Sequence, residues 1–220
     1  MIRSHLISLS ISVCLAAETK IVSLASTQDL KLVNTLVEVT TFKGREALKV
    51  SEPPANKADR EDKLVILPLD FHNGMIELEL TGSVAKGALA GARGFVGIAF
   101  RVDRSVTKFE CFYLRPMNGR ADDQVRRNHS AQYVSYPDFP WQKLRKEETE
   151  KYESYVDLIA NEWTKVKIVV DGTNALLYVH GNTQPTLIVH DLKKGDSRGA
   201  LALWIGPGTE AHFANLRVTQ

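Results

Sequence analysis

Apolar residues recur at every second position along most of this chain, in short runs that Gly, Pro, Asn and Asp interrupt. A period of two is typical of β-strands, because successive side chains point to opposite faces of a sheet. Very little of the sequence has the period of a helix, so strands without helical crossovers must pair antiparallel. The pattern predicts about a dozen strands, at residues 31–41, 47–51, 64–67, 75–81, 94–102, 109–115, 132–136, 164–171, 175–180, 186–190, 199–205 and 212–218.

That number of strands predicts an all-β fold, an antiparallel two-sheet β-sandwich. The chain has 220 residues, of which 44% are hydrophobic and 25% charged, as in ordinary globular proteins. No linker rich in Pro, Gly or Ser divides it, so residues 18–220 are predicted to form a single domain. The net charge is only +2 and basic residues are scattered among acidic ones. This distribution predicts no nucleic-acid partner.

The first residues have the composition of a secretory signal peptide. Arg3 precedes an uncharged run at residues 6–17, which is too short to span a bilayer. We predict that residues 1–17 are removed before Glu18, that no segment spans a membrane, and that the protein is secreted or periplasmic. Two alternatives are a lipid anchor on Cys14 and a buried strand. Cleavage would leave Cys111 as the only cysteine, hence no intramolecular disulfide.

The last third of the chain carries its clearest motifs. "VVDGTNALLYVHG" is typical of a hairpin, since Gly and Asn in "DGTN" accept the positive φ of a tight connection. "GALALWIGPGTEAHFANLRV" predicts two closing strands around a Gly-Pro-Gly turn, with Trp204 and Phe213 in the core. With "FHNGMIELEL", these motifs resemble the concanavalin A-like lectin/glucanase superfamily, which includes laminin G-like domains, over about residues 71–218.

The resemblance implies a jelly roll and an oligo- or polysaccharide partner, bound on the concave face. Alternation in "GFVGIAFRV" and "FECFYLRP" predicts that Arg101, Tyr113 and Arg115 share that face, beside a polar loop at residues 116–131. Arginine forks and aromatic rings suit sugar hydroxyls and sugar faces. The alternative is a solvated loop, with Trp141 plugging a sheet edge. The predicted ligand-binding residues are Arg101, Tyr113, Arg115, Asn118, Arg127, His129, Gln132, Tyr133 and Trp141.

Members of the superfamily either bind or cleave glycans, so two enzyme alternatives stay open. Glu77 and Glu79 lie on one strand face and are candidate carboxyl groups for a glycoside hydrolase, although an ordinary wet strand face explains them equally. His129 and Tyr133 are candidate proton-transfer groups for a polysaccharide lyase of the uronate type, acting in the polar region 115–136.

Histidine spacing matches no zinc motif, so no catalytic metal and no cofactor are predicted. A structural calcium ion at Asp122 and Asp123 is the one metal that the sequence leaves open.

Overall fold

Two antiparallel sheets contain nearly all the regular structure in the computed structural model, which describes residues 17–54 and 61–220. The described part of the chain has fifteen strands and two short helices. The strands are β1 Thr19–Ile21, β2 Lys31–Val33, β3 Leu36–Phe42, β4 Arg45–Ser51, β5 Leu64–Phe71, β6 Gly74–Val84, β7 Val96–Val102, β8 Phe109–Leu114, β9 Ala131–Tyr136, β10 Glu153–Ser154, β11 Thr164–Asp171, β12 Asn174–Val179, β13 Leu187–Val189, β14 Gly199–Ile205 and β15 Thr209–Thr219. The helices are α1 Gln124–Asn128 and α2 Trp141–Glu147.

The eight-stranded sheet has the order β13-β12-β11-β6-β15-β4-β3, and β1 pairs with β15 beside this path. The seven-stranded sheet has the order β10-β9-β8-β7-β14-β5-β2. All pairings are antiparallel, so the predicted all-β two-sheet sandwich is confirmed. The predicted hairpin is also present, since Asp171 pairs with Asn174 around Gly172, whose φ is +56°.

Several strand boundaries differ from the sequence pattern. The run at 31–41 divides at Asn34, whose φ of 52° is one that Asn tolerates, and its two halves join different sheets. The short strands β1 and β10 were not predicted, because two or three residues carry no visible alternation. The two short helices, α1 and α2, lie between the predicted strands, where the period of two gave no assignment.

Apolar side chains from both sheets meet in the core between them. Around one small internal void they are Val96, Ile98, Phe112 and Leu114 from the seven-stranded sheet, and Leu80, Val166 and Leu177 from the eight-stranded sheet. Val96, Ile98, Phe112 and Leu114 therefore lie on the inner face, opposite to the face predicted for Tyr113. It follows that Gly97, Tyr113 and their register partners lie on the outer face of the seven-stranded sheet.

Residues 1–16 of the predicted signal peptide, including Cys14, lie outside the described residues. Cys111 is a buried free cysteine in β8. Among residues 17–54 and 61–220, no helix is both long and apolar enough to cross a bilayer.

Candidate functional site

Two aromatic rings meet on the outer face of the seven-stranded sheet because a glycine separates their backbones. Gly97 of β7 lies between Tyr113 of β8 and Trp204 of β14 in the register. A Cβ at Gly97 would come within 2.6 Å of the Cβ of Tyr113. Without that Cβ, the ring centroids of Tyr113 and Trp204 approach to 4.7 Å. Glycine thus makes room for an aromatic floor.

A cavity of about 430 Å³ opens above these two rings, and we call it the aromatic cavity. Its aromatic lining is Phe95, Tyr113, Trp141 and Trp204. Its polar lining is Glu52, Glu61, Arg93 and Gln142, and the remaining wall consists of residues 89–92 with Pro207 and Gly208. Its volume and its mixture of rings with few polar groups are typical of a small-molecule site.

The floor of the aromatic cavity is held rigidly. The indole Nε1 of Trp204 donates a hydrogen bond of 2.6 Å to the carbonyl of Glu61. Behind the rings lies Arg115, whose guanidinium carbon is 5.1 Å from the ring centroids of both Phe95 and Tyr113 and 5.6 Å from that of Trp141. One buried cation therefore touches three of the four rings that line the cavity.

Arg115 itself is not open to a ligand, because its side chain is only 3% exposed. One terminal nitrogen donates to the carbonyl of His129 at 2.9 Å and to Glu153 at 3.2 Å. The other donates to the Tyr113 hydroxyl at 2.9 Å and to Gln132 Oε1 at 3.0 Å. The expectation that Arg115 lies on an open face is wrong, since its donors are used to position the floor.

Glu153 is the anionic centre of this cluster. It faces Arg115, receives hydrogen bonds from Arg145, and has an oxygen 2.9 Å from His129 Nδ1. Burial raises the pKa of Glu153, but Arg145, Arg115 and His129 together hold that pKa below its ordinary value. Burial lowers the pKa of His129, against the opposing charge of Glu153. Sequence reasoning missed Glu153 because it follows a Lys/Glu run that has the composition of a solvated face.

Arg145 links Glu153 to the wall of the aromatic cavity. Its guanidinium carbon lies 4.5 Å from the ring centroid of Trp141, the first residue of α2. Trp141 therefore contacts both Arg115 and Arg145. The Trp141 ring is partly buried against the core and also lines the aromatic cavity.

The prediction that Arg101 and Arg115 share one surface is wrong. In the β7–β14 register Ala99 pairs with Ala202 and Val102 with Ala200, so β7 contains one extra residue there. Such a bulge redirects the following side chain, and Arg101 has a φ of 54°. Its guanidinium donates to the carbonyls of His72, Gly172 and Gly195 instead, at 2.6–3.1 Å.

Tyr133 does not form the predicted wall either. It pairs with Phe112 and is fully buried, with its hydroxyl 2.6 Å from Glu110 Oε2. Burial raises the pKa of Tyr133, and the nearby Glu110 charge raises it further. Burial likewise raises the pKa of Glu110, against the hydrogen bond from Tyr133. This pair faces the interior of the sandwich and is separate from the aromatic cavity.

The other predicted loop residues support the cluster from outside the cavity. Asn118 is buried and donates to the carbonyl of His129 at 3.3 Å. Arg127 donates to the Tyr155 hydroxyl and lies over its ring. Gln132 is fully buried and accepts from Arg115. Of the predicted ligand-binding residues, the lining thus contains Tyr113 and Trp141.

Glu77 and Glu79 lie on the other sheet, on β6, and do not converge with His129 or Tyr133. Glu79 is paired with Arg45 at 2.6 Å and accepts from Asn215. Glu77 lies opposite Lys167 and Arg217 in the strand register. Glu79 is therefore a buried, ion-paired carboxylate, and Glu77 lies between basic register partners on the same strand.

In the described part of the chain, no group of three or more His, Cys, Asp or Glu side chains could hold a metal ion. Asp123 caps α1, where its carboxylate accepts from the N–H of Arg126 at 3.0 Å. Calcium binding at Asp122 and Asp123 stays a prediction.

The two-sheet sandwich has the concanavalin A-like lectin/glucanase fold, as the sequence motifs predicted. It is similar to the carbohydrate binding module CBM66 from Bacillus subtilis, with a TM-score of 0.58 and 13% identity over 86% of this chain and 95% of that one. It is also similar to a Bacillus subtilis protein of unknown function with a galectin-like fold, with a TM-score of 0.57 and 12% identity over 90% and 92% of the two chains.

A third similar structure is a native glycosidic hydrolase, with a TM-score of 0.51 and 11% identity over 94% of this chain and 97% of that one. At these identities the likeness concerns the fold. No protein-family model and no curated protein matches the sequence.

Proposed function

We propose that this protein binds a glycan in the aromatic cavity on the outer face of its seven-stranded sheet. The observation that carries the proposal is the cavity itself, about 430 Å³ with Phe95, Tyr113, Trp141 and Trp204 around it. Aromatic rings stack on the apolar faces of sugar rings, and a few polar groups fix the orientation of a ligand in such a site. The fold supports the same proposal, since a similar structure is a carbohydrate binding module.

The polar rim supplies the groups that sugar hydroxyls require. Glu52 accepts from the N–H of Gly208 at 3.1 Å, and its other oxygen forms an ion pair of 3.6 Å with the buried Lys63. Glu52 therefore fixes the Gly-Pro-Gly turn at the edge of the cavity. Arg93 and Gln142 provide donors on other parts of the rim.

Replacing Trp141 by alanine is expected to weaken glycan binding by roughly tenfold to a hundredfold. Burial of one large apolar side chain is worth about 1.5–3 kcal/mol, and each 1.4 kcal/mol is tenfold in affinity. The measurement is isothermal titration with a glycan selected on an array. Trp163→Ala is the matched control, because this partly buried tryptophan packs on Phe42 in the eight-stranded sheet. If both variants lose the same amount of glycan affinity, the aromatic cavity is not the binding site.

A second candidate function is glycoside hydrolysis at the same cavity. The observation in its favour is that two carboxylic acids, Glu52 and Glu61, both line it, and glycosidases use a pair of such groups. A hydrolase would release new reducing ends from the bound polysaccharide, and Glu52→Gln would abolish release while binding persists. The lyase alternative has less support, because Tyr133 is buried on the inner face and His129 is engaged with Glu153.

We further propose that the protein is secreted or periplasmic, on the strength of the hydrophobic N-terminal run. Glu18 and Gln220 exchange backbone hydrogen bonds of 2.9 and 3.0 Å, so a chain cleaved before Glu18 keeps its first pairing with the sheet. Sequencing the N-terminus of exported protein is expected to begin near Glu18. A retained Met1, or a lipid on Cys14, would contradict this expectation.

A further inference from the structure

We infer that the aromatic cavity receives the end of a glycan chain and does not bind an internal stretch of one. This inference rests on the proposed function and concerns how the site selects among glycans. A sheet that binds along a polymer must leave its outer face open across successive strands. Here helix α2 closes the cavity on one side and two contacting loops close it on a second side, a shape that suits a chain terminus.

The β9 side of the cavity is closed. The floor comes from the region of β7, β8 and β14, whereas Gln132 and Val134, the next residues along the register in β9, are 0% and 1% exposed. Gln132 is occupied by Arg115 and by the carbonyls of Tyr133 and Tyr152. No surface is left on this part of β9 for a second sugar ring.

Helix α2 forms that closing wall and is fixed in place. Trp141 and Gln142 face the cavity, while Leu144 is buried at 2% exposure beneath the helix. Arg145 joins the helix to Glu153 of β10, the edge strand of the sheet. Glu153 is also hydrogen-bonded to Arg115, which contacts a ring of the floor. The ion pairs therefore hold α2 against the floor, so the helix blocks the path of a glycan across β9.

A second wall comes from two loops in direct contact. A Cβ on Gly208 would lie 2.8 Å from the Cβ of Ala92 and 2.9 Å from that of Ala88, so only glycine permits this approach. The N–H of Ala85 donates to the carbonyl of Gly208 at 2.9 Å, and Glu52 accepts from the N–H of the same glycine. The loop at 88–93 and the Gly-Pro-Gly turn therefore meet without a gap between them.

The volume agrees with the walls. About 430 Å³ is towards the lower end of the range of about 300–1,000 Å³ for ligand sites. A space of this size accommodates a terminal mono- or disaccharide against the partly exposed rings of Phe95 and Trp141, above the buried rings of Tyr113 and Trp204, with the rest of the glycan leaving through the opening.

The test immobilises linear oligosaccharides of glucose, galactose, mannose, fructose and N-acetylglucosamine in two orientations, through the reducing end and through the non-reducing end. We expect the full-length protein to bind the oligosaccharide in one of the two orientations, with an affinity at least about tenfold higher than in the other. Free oligosaccharides of increasing length are then expected to bind with the same affinity once they exceed a disaccharide. Titration should give one protein molecule per glycan chain whatever its length.

Each outcome separates this inference from the proposed function. Equal binding in both orientations, with several protein molecules on a long chain, would overturn end recognition and leave glycan binding intact. Binding to none of these oligosaccharides in either orientation would overturn both. The Trp141→Ala variant is also expected to lose binding to the oligosaccharide in the preferred orientation. If this variant still binds, the ligand lies outside the aromatic cavity.

Discussion

Replacing Arg115 by alanine is expected to lower the free energy of unfolding by about 3–5 kcal/mol, the usual result of removing one partner from a buried ion pair. Glu153, at 3% side-chain exposure, would lose a buried cation, and Tyr113 and Gln132 would lose their hydrogen-bond donor. Arg145 and His129 remain beside Glu153, which places the effect towards the lower end. The measurement is a urea or guanidinium melt.

Arg120→Ala is the matched control for charge removal. Its pair with Asp157 is more than half exposed on the arginine side, and exposed pairs contribute little to stability. Arg115→Lys is expected to recover only part of the loss, because an ammonium group lacks the planar fork that reaches several acceptors at once. An Arg115→Ala variant that melts like the native protein but no longer binds glycan would restore the sequence-based interpretation of this residue as a ligand contact.

The fold was predictable because alternation and turn residues are local properties. The hairpin at Asp171 and the inner faces of β7 and β8 depend only on period two and on residues that accept positive φ. The aromatic cavity depends on contacts between distant segments. Trp141, Glu153 and Trp204 come from a helix, an edge strand and a central strand, and no local period relates them.

Arg101 shows how one residue changes a face assignment. The predicted outer-face position followed from strict alternation, but the extra residue in β7 shifts the register and sends the guanidinium to the loops at His72 and Gly172. Some bulges are marked in the sequence by a glycine in the bulged strand, but Ala99–Val102 contain none. Apolar residues also continue before and after Arg101, so the sequence pattern does not reveal the bulge.

Trp204 belongs to the buried core, as predicted, but the sequence did not predict the face of the sheet on which it lies. It is 2% exposed, but it faces Tyr113 on the outer side and lines the aromatic cavity. The run "ALALWI" is apolar at every position, so alternation assigns neither face to the tryptophan. Phe213 is fully buried opposite Leu80, on the inner side, as predicted.

These two residues give the second large expected effect. Trp204→Ala and Phe213→Ala are each expected to cost about 3–5 kcal/mol of stability, the usual cost of truncating a buried aromatic side chain. Denaturant melts measure both losses, and a loss below about 1 kcal/mol at either position would contradict the burial described here.

Smaller substitutions separate packing from binding. Trp204→Phe keeps a ring beneath the cavity but removes the hydrogen bond to the carbonyl of Glu61 and part of the ring that packs on Tyr113. Phe213→Leu is its matched control, a reduced apolar side chain on the inner side of the sandwich. Since only Trp204 lines the cavity, we expect glycan affinity to fall in Trp204→Phe and to stay unchanged in Phe213→Leu at comparable stability. If the affinity falls in neither variant or equally in both, Trp204 is only a packing residue and the ligand does not rest on this floor.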